Sequence, residues 1–497
     1  MADAVSTLLS FPPDDTSSLS TKKYDDLANK FLKSLEKQPN ATWTRQIEKK
    51  NILELLDPAT NTIPYLYALN AQVNLAPKAS TTLDSHLPLA ATFLTTFDPI
   101  QARYVGEEFR VLIAWVLECV PAAGVDYLAA ATTGLLRLDP TAGTFTSMHL
   151  LILRTCLDQA VPSHALPILN KDIYAFPSEP TKNVPEDYPC EDTDLSNTFI
   201  TTKSGFSHKL KPEYILEYYL LGARIYLGQR NYPRARLFLE YVILTPSFQH
   251  AASAMQSEAY AQWILVGLLD QGKRYPLPRT HDGAVMKSIR SVAKPYESLA
   301  DCFEQRDWRK LQAEMEAGMQ TWHNDGNLRA VREVGEALLR FRVQDLQKRY
   351  AALSIERVGL YLGFPSEQTL QMVGEMIRQN QLHASITPSP NDTAAHAVLR
   401  FHFDITPAVQ ADELEQQTKR IESLITSVRD ADRRLQLTKE YVEFQKRQKR
   451  AGPDAADLAD QMDLSYEAPM VAGRGGMDGE GEFMEELEDG DEDIMAG

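Results

Sequence analysis

From Tyr24 onward the chain repeats one spacing of apolar positions. Leu27, Phe31, Leu32 and Leu35 fall at i, i+4, i+5 and i+8, the spacing of one helix face. Similar runs recur at 45–56, 62–75, 100–119, 122–137 and 146–170, parted by short turns with Pro or Gly, and no sustained two-residue alternation interrupts them. The spacing predicts stacked helices. The first 23 residues, rich in Pro, Asp, Ser and Thr, are expected to form a flexible arm. Between about 176 and 211, Pro177, Pro180, Pro185 and Pro189 stand among polar residues with few aliphatics. Such a composition buries too little to offset its ordering entropy, which predicts a mobile loop.

The clearest helical pair is EYYLLGARIYLGQRNYPRARLFLEYVILTP, from Glu217 to Pro246. Tyr218, Leu221, Gly222 and Ile225 follow the first-helix pattern of a tetratricopeptide-like repeat. Ala235 and Leu239 follow the second-helix pattern after a turn at Gln229–Tyr232 that is one residue longer, and Pro246 ends the helix. Gly222 is small enough to let the second helix approach closely. One such pair cannot cover its own apolar face, so the helical runs at 250–271, 285–303, 307–321 and 326–346 are expected to stack on it. The alternative is an ordinary helical bundle; the all-helical run on both sides favours a solenoid spanning 24–346.

The pattern changes at Ser354. Ile355, Val358 and Leu362 make a short helix that runs into Gly363-Phe364-Pro365, and Ser366 is a suitable N-cap for a second helix faced by Leu370, Val373 and Ile377. LHASIT (382–387), a turn with Pro388, Pro390, Asn391 and Asp392, and the strand AVLRFHF (397–403) follow. Leu399, Phe401 and Phe403 share one face of that strand; Val398, Arg400 and His402 share the other. Helix, helix, strand, turn, strand is a winged-helix order, here over 347–404. From 405 to 450 a polar helix carries Leu414, Ile421, Val428, Leu435 and Val442 at intervals of seven, with Leu424 and Ala431 between them. So narrow a stripe on a charged helix asks for partner helices, supplied by this chain or by another. The remainder, 451–497, is expected to be a disordered acidic tail.

Bulk properties narrow the functional classes. Of 497 residues, 43% are hydrophobic and 24% charged, ordinary for a chain that buries a core. No run approaches the ~18–20 consecutive apolar residues of a membrane span, and MADAVSTLLSFPPDDTSS has no basic n-region, so neither membrane nor secretory signal is expected. Cys119, Cys156, Cys190 and Cys302 are far apart, which suits free thiols in a reducing compartment. The formal charge is −17; ten acidic and no basic residues between Asp478 and Asp493 leave the rest near −7. An acidic body is a poor match for nucleic acid, and the second winged-helix helix sets Glu367 and Glu375 against a lone Arg378 where a groove reader needs cations.

Candidate chemistry is thin. Gly267-Leu-Leu-Asp-Gln-Gly272-Lys273-Arg274 has the G-x4-G-K spacing of a phosphate loop, which raises a nucleotide hydrolase. Arg274 replaces the Ser/Thr that would hold magnesium, however, and AYAQWILVG before it continues a helix; a helix capped by Gly272 is the expected structure. The ten histidines contain no metal-ligand pair, His396 and His402 being some six residues or ~20 Å of strand apart. No hydrolase, dinucleotide or Cys/His signature appears, so no enzyme activity, cofactor or metal is expected.

A helical-repeat array running into a winged helix and a terminal helix resembles the PCI-domain family. Within it the chain is similar to the subunit 3 family of the COP9 signalosome from about Met148 to Phe403. HALPILNKDI (164–173), the helical pair above and AYAQWILVGLLDQGK (259–273) carry the likeness, followed in order by Ile355, Val358, Leu370, Val373, Ile377, His383, Ser385 and Ile386. The first ~140 residues fit only as generic helical repeat, and the 176–211 loop and acidic tail depart from the pattern. This resemblance implies a non-catalytic scaffold in the nucleus and cytoplasm, within the complex that removes NEDD8 from cullins. Its implied partners are the other signalosome PCI subunits and the metalloprotease subunit that does the catalysis, with cullin-RING ligases contacted indirectly. Winged helices in that family join edge strand to neighbour, and C-terminal helices gather in one bundle. An open edge at Ala397–Phe403, with Val398, Arg400 and His402 as contacts, and the heptad stripe are expected to serve those two joints. Related possibilities are a PCI subunit of the proteasome lid or of a translation initiation complex, or a nucleic-acid-binding PCI protein of mRNA export.

Overall fold

The computed structural model describes residues 8–13, 19–43, 46–47, 50–75, 80–179, 188–191, 193, 195–246, 251–379, 381–387, 397–402, 407–436 and 439–450. They fall into two compact units, divided between Phe401 and His402. The first unit is helical repeat followed by a small winged helix. Its long helices are α1 Thr21–Glu36, α2 Thr62–Leu75, α3 Ser80–Thr96, α4 Gly106–Ala123, α5 Asp126–Leu138, α6 Ser147–Asp158, α7 Pro212–Gly228, α8 Tyr232–Leu244, α9 Ala254–Asp270, α10 Gly283–Val292, α11 Lys294–Glu304, α12 Trp308–Ala317 and α13 Leu328–Gln347. Single helical turns lie at Asn40–Trp43, Ile52–Leu55, Pro99–Ala102, Leu166–Leu169 and Met319–Asn324.

The repeat pair forms as its sequence demands. Tyr218, Ile225, Ala235 and Leu239 are buried between α7 and α8. At Gly222 a Cβ would lie 2.8 Å from the Phe238 ring and 3.0 Å from Leu169, so the close crossing requires glycine. Helix α9 is buried on every side from Ala259 to Leu269, the mark of an interior helix, and packs on α7, α8, α10, α11 and α13. Ser253 and Gln256 open it with a reciprocal capping box.

Several local expectations are corrected. The run at 45–56 is not one helix: β1 Gln46–Ile47 pairs with β2 Lys50–Asn51, and Asn51 caps the turn after it, accepting from the Leu53 N–H at 3.3 Å. Helix α3, which the spacing did not indicate, is rich in threonine and holds Pro88 inside it; Thr92, Thr95 and Thr96 bond back to main-chain carbonyls. The run at 285–303 breaks at Ala293, before Pro295 in the first turn of α11.

The flexible arm is also corrected, because Leu8 and Phe11 are buried. Phe11 stacks on Phe31 at 5.2 Å, and its carbonyl accepts from Asn61 at 3.3 Å. Over 195–211 the predicted mobile loop is a packed strap. Phe199, Ile200 and Phe206 are buried, and Phe206 fills the space over Gly106, where a Cβ would lie 2.9 Å from its ring. Arg103 stacks on Phe199 at 4.1 Å and donates to the Pro189 and Glu191 carbonyls at 2.9 and 2.8 Å, while Arg110 donates to Gly205 at 3.0 Å. Residues 180–187 of that stretch lie outside the described residues.

The winged helix comprises β3 Ala352–Ser354, α14 Ile355–Leu362, α15 Ser366–Arg378, β4 Ala384–Thr387 and β5 Val398–Phe401. Ile355, Val358, Leu362, Val373, Met376, Leu399 and Phe401 share a core with Val343 and Leu346 at the end of α13, which ties the module to the last repeat. Ser354 caps α14, accepting from the Arg357 N–H at 3.4 Å, and Gly363 closes it in the left-handed conformation (φ +86°). Ser366 is the first residue of α15 and Pro365 holds the cap position, one residue earlier than expected. The second unit contains α16 Pro407–Gln436 and α17 Lys439–Arg450.

Candidate protein-interaction surfaces

The sheet order is β3-β5-β4, both pairings antiparallel. Arg400 stands opposite Ala352 on one side and Ser385 on the other, so β5 is the central strand. This overturns the expected open edge at Ala397–Phe403. Val398 is half-buried and Arg400 exposed, both on the outward face of this central strand rather than at an edge, and His402, exposed, lies beyond the end of β5. Phe403 lies outside the described residues. The missed element is β3: three residues before Ile355 pair with β5 and close that side. Among the described residues the sheet's edges are β3 and β4. The Phe401 N–H bonds to the Ala351 carbonyl at 2.9 Å and the Ile355 N–H to Ala397 at 2.8 Å. Ala351, Leu353 and Ile355 therefore turn their main-chain groups toward β5, and by the alternation of an antiparallel ladder Ala352 and Ser354 turn theirs outward. On α15, Arg378 is paired with Glu375 and Glu367 is exposed, so the helix presents no cationic face.

Within the second unit, Leu414, Ile421, Leu424, Val428, Leu435 and Val442 are all exposed, between 39% and 66%. Ile425 and Phe444 are exposed too. The seven-residue count passed over Ile425, which sits four after Ile421 and widens the stripe; Phe444 falls off that spacing. Around the stripe the helix is held by its own surface contacts, such as Lys419 to Glu415 at 2.6 Å. Among the described residues the stripe is an exposed apolar seam.

Several described groups that the sequence raised for chemistry make structural contacts. The Gly267–Lys273 string is the carboxyl end of α9: the helix stops at Asp270, and Gly272 turns the chain at φ +69°. Anions are bound by the amide end of a helix, and here the carbonyl end faces the loop. Arg274 donates to Glu297, Asp301 and Glu304 at 2.6, 2.7 and 2.9 Å, fastening the loop to α11. Burial pushes the Cys156 thiol up to about 12 and raises those of Cys119 and Cys302, the opposite of an activated thiolate. Burial also lowers His149 to about 4, against the opposing pull of Asp139; its Nδ1 accepts from the Thr146 N–H at 3.1 Å. An open hollow of about 470 Å³ is lined by Pro12, Tyr24, Thr60, Asp98, Gln101 and Cys190, where burial raises the Tyr24 hydroxyl above its ordinary range. Among the described residues no three His, Cys, Asp or Glu side chains could share a metal ion, and no helix is long and apolar enough to cross a membrane.

Comparison with known proteins agrees with this architecture. The family model described as COP9 signalosome complex subunit 3, N-terminal helical repeats, matches residues 21–285. A COP9 signalosome complex subunit 3 of Emericella nidulans is 31% identical over 417 residues, covering 81% of this chain and 83% of that protein. Those of Neurospora crassa and Arabidopsis thaliana are 25% and 24% identical, covering 88% and 76% of this chain and 90% and 78% of theirs. The likeness to these relatives therefore extends well past the matched repeats. This chain belongs to the COP9 signalosome subunit 3 family.

Proposed function

We propose that this chain is a non-catalytic scaffold subunit of the COP9 signalosome that supports removal of NEDD8 from cullin-RING ligases. In this reading it holds its neighbours at two joints. The seam of α16 and α17 enters a bundle with the C-terminal helices of other subunits, and the winged-helix sheet meets a neighbouring PCI subunit along β3 or β4 rather than β5. Catalysis lies on the metalloprotease subunit, cullin-RING ligases are reached indirectly, and the chain works in the nucleus and cytoplasm, where its four cysteines stay reduced. The observation that carries the proposal is the exposed seam in a member of this family. An enzyme hides its apolar surface around a substrate pocket, whereas a helix with six or more exposed aliphatics at heptad spacing gains only from other helices.

A native pulldown of the tagged chain, with mass spectrometry of what it retains, tests the proposal. Recovery of the other signalosome PCI subunits together with the metalloprotease subunit is the expected result. Recovery of proteasome-lid or translation-initiation subunits, of RNA-processing factors, or of the chain alone would overturn it.

A further inference from the structure

The seam of the second unit is chemically lopsided. Residues 407–428 hold Asp412, Glu413, Glu415 and Glu422 against Lys419 and Arg420, whereas residues 429–450 hold eight Lys/Arg against four Asp/Glu. The last five positions of α17 read Lys-Arg-Gln-Lys-Arg. Leu435, Val442 and Phe444 are exposed along this basic half, and Ile425 and Val428 are exposed just before it. A segment that fits it must carry acid for the cations and aliphatics for the seam.

The chain contains such a segment. From Asp478 to Ile494 there are ten Asp/Glu and no Lys/Arg, and Phe483, Leu487 and Ile494 are spaced by four and by seven, as along a helical seam. Only residues 451–477 separate it from Arg450. A coil of that length has a root-mean-square span of about 30 Å. The helical stretches Val428–Gln436 and Lys439–Arg450 rise about 12 and 17 Å. The segment can thus reach the whole basic half, at an effective concentration on the order of millimolar for a short tether.

We propose that the acidic segment Asp478–Ile494 docks on the basic, apolar face of residues 425–450 within one unassembled chain. It covers the seam until partner helices displace it. The contact concerns the free subunit, so it stands or falls apart from the assembly proposed above.

Zero-length carbodiimide coupling of carboxylates to amines in the full chain, at low micromolar concentration, tests this. The monomer is isolated and its linked peptides are sequenced by mass spectrometry. Links from the 478–493 carboxylates to Lys439, Lys446 or Lys449 are expected, and their yield should fall at least about five-fold in 1 M salt, where charges are screened beyond ~3 Å. A chain ending at residue 477 should exchange its 425–450 amide hydrogens at least about five-fold faster than the full chain. Links confined to a dimer would mean a second copy covers the seam and would overturn the proposal. So would links to other lysines only, or equal exchange in the two chains. Retention of signalosome subunits by the same preparation would leave the assembly reading intact in each of those cases.

Discussion

Replacing Ile421, Val428 and Leu435 together by serine separates a seam made for other chains from one that stabilises this chain. The three side chains retain 56%, 66% and 52% exposure. Complete burial of such a side chain is worth about 1.5–3 kcal/mol, so entry into a bundle still has roughly 1–1.5 kcal/mol to gain from each. Each serine forgoes that gain and places a hydroxyl in a dry seam, at a further cost of about 1 kcal/mol where it finds no partner. Summed over the sites the loss is on the order of 5 kcal/mol, or several-thousand-fold in affinity. The isolated chain should hardly notice, since Ile, Val and Ser have similar helix propensities and exposed substitutions usually stay within about 0.5 kcal/mol each. The assay is paired: thermal melting of the purified subunit, and capture of partners at matched expression. Melting within about 2 °C of wild type with lost capture is expected. Undiminished capture would refute the bundle joint, and a fall of many degrees would show that the seam is already used within the chain.

Other outcomes follow from the first unit. Phe206→Ala removes a fully buried ring that packs edge-on against Phe109 at 6.1 Å and should cost about 3–5 kcal/mol in denaturant melts, whereas a mobile 195–211 loop would leave stability unchanged. His149 stays neutral when folded, at about 4 against 6.5 in an unfolded chain, so its contribution is intact above pH 6.5 and is lost as pH falls from 6.5 toward 4. Acidification from pH 7.5 to 5 should therefore destabilise wild type by on the order of 2 kcal/mol more than His149→Gln, and parallel pH profiles would contradict this. Ala352→Pro removes an outward N–H from an exposed residue of β3 and should weaken capture of a neighbouring PCI subunit without lowering the melting temperature. Full capture by that variant would move the joint to β4 or off the sheet edge.

What the sequence made legible depended on whether a signal repeated. Helices announce themselves every three to four residues, so α7, α8, α9 and the heptad stripe of α16 could be read directly. Gly222 was identifiable because a tetratricopeptide-like pattern reserves that position for a small side chain. Strand β3 has three residues, too few for a two-residue period to show, and the consequence was topological rather than local. With two strands in view, β5 had to be an edge; adding the third makes it the centre and transfers the edge to Ala352–Ser354 and Ala384–Thr387.

The packed strap and arm were missed for a different reason. Averaged over 176–211 the composition is too polar to bury, yet Phe199, Ile200 and Phe206 lie within eight residues and suffice to fix the segment that contains them. Leu8 and Phe11 do the same within a polar N-terminal stretch. Ordering entropy is incurred residue by residue, and burial is gained at a few large side chains. A window mean therefore says whether a whole segment can fold, and says little about whether one part of it is anchored. The same distinction makes the seam readable: its aliphatics are regularly spaced although they stay exposed among the described residues. A pattern kept without local burial points to burial supplied elsewhere, which is why the terminal helix says more about partners than the core does.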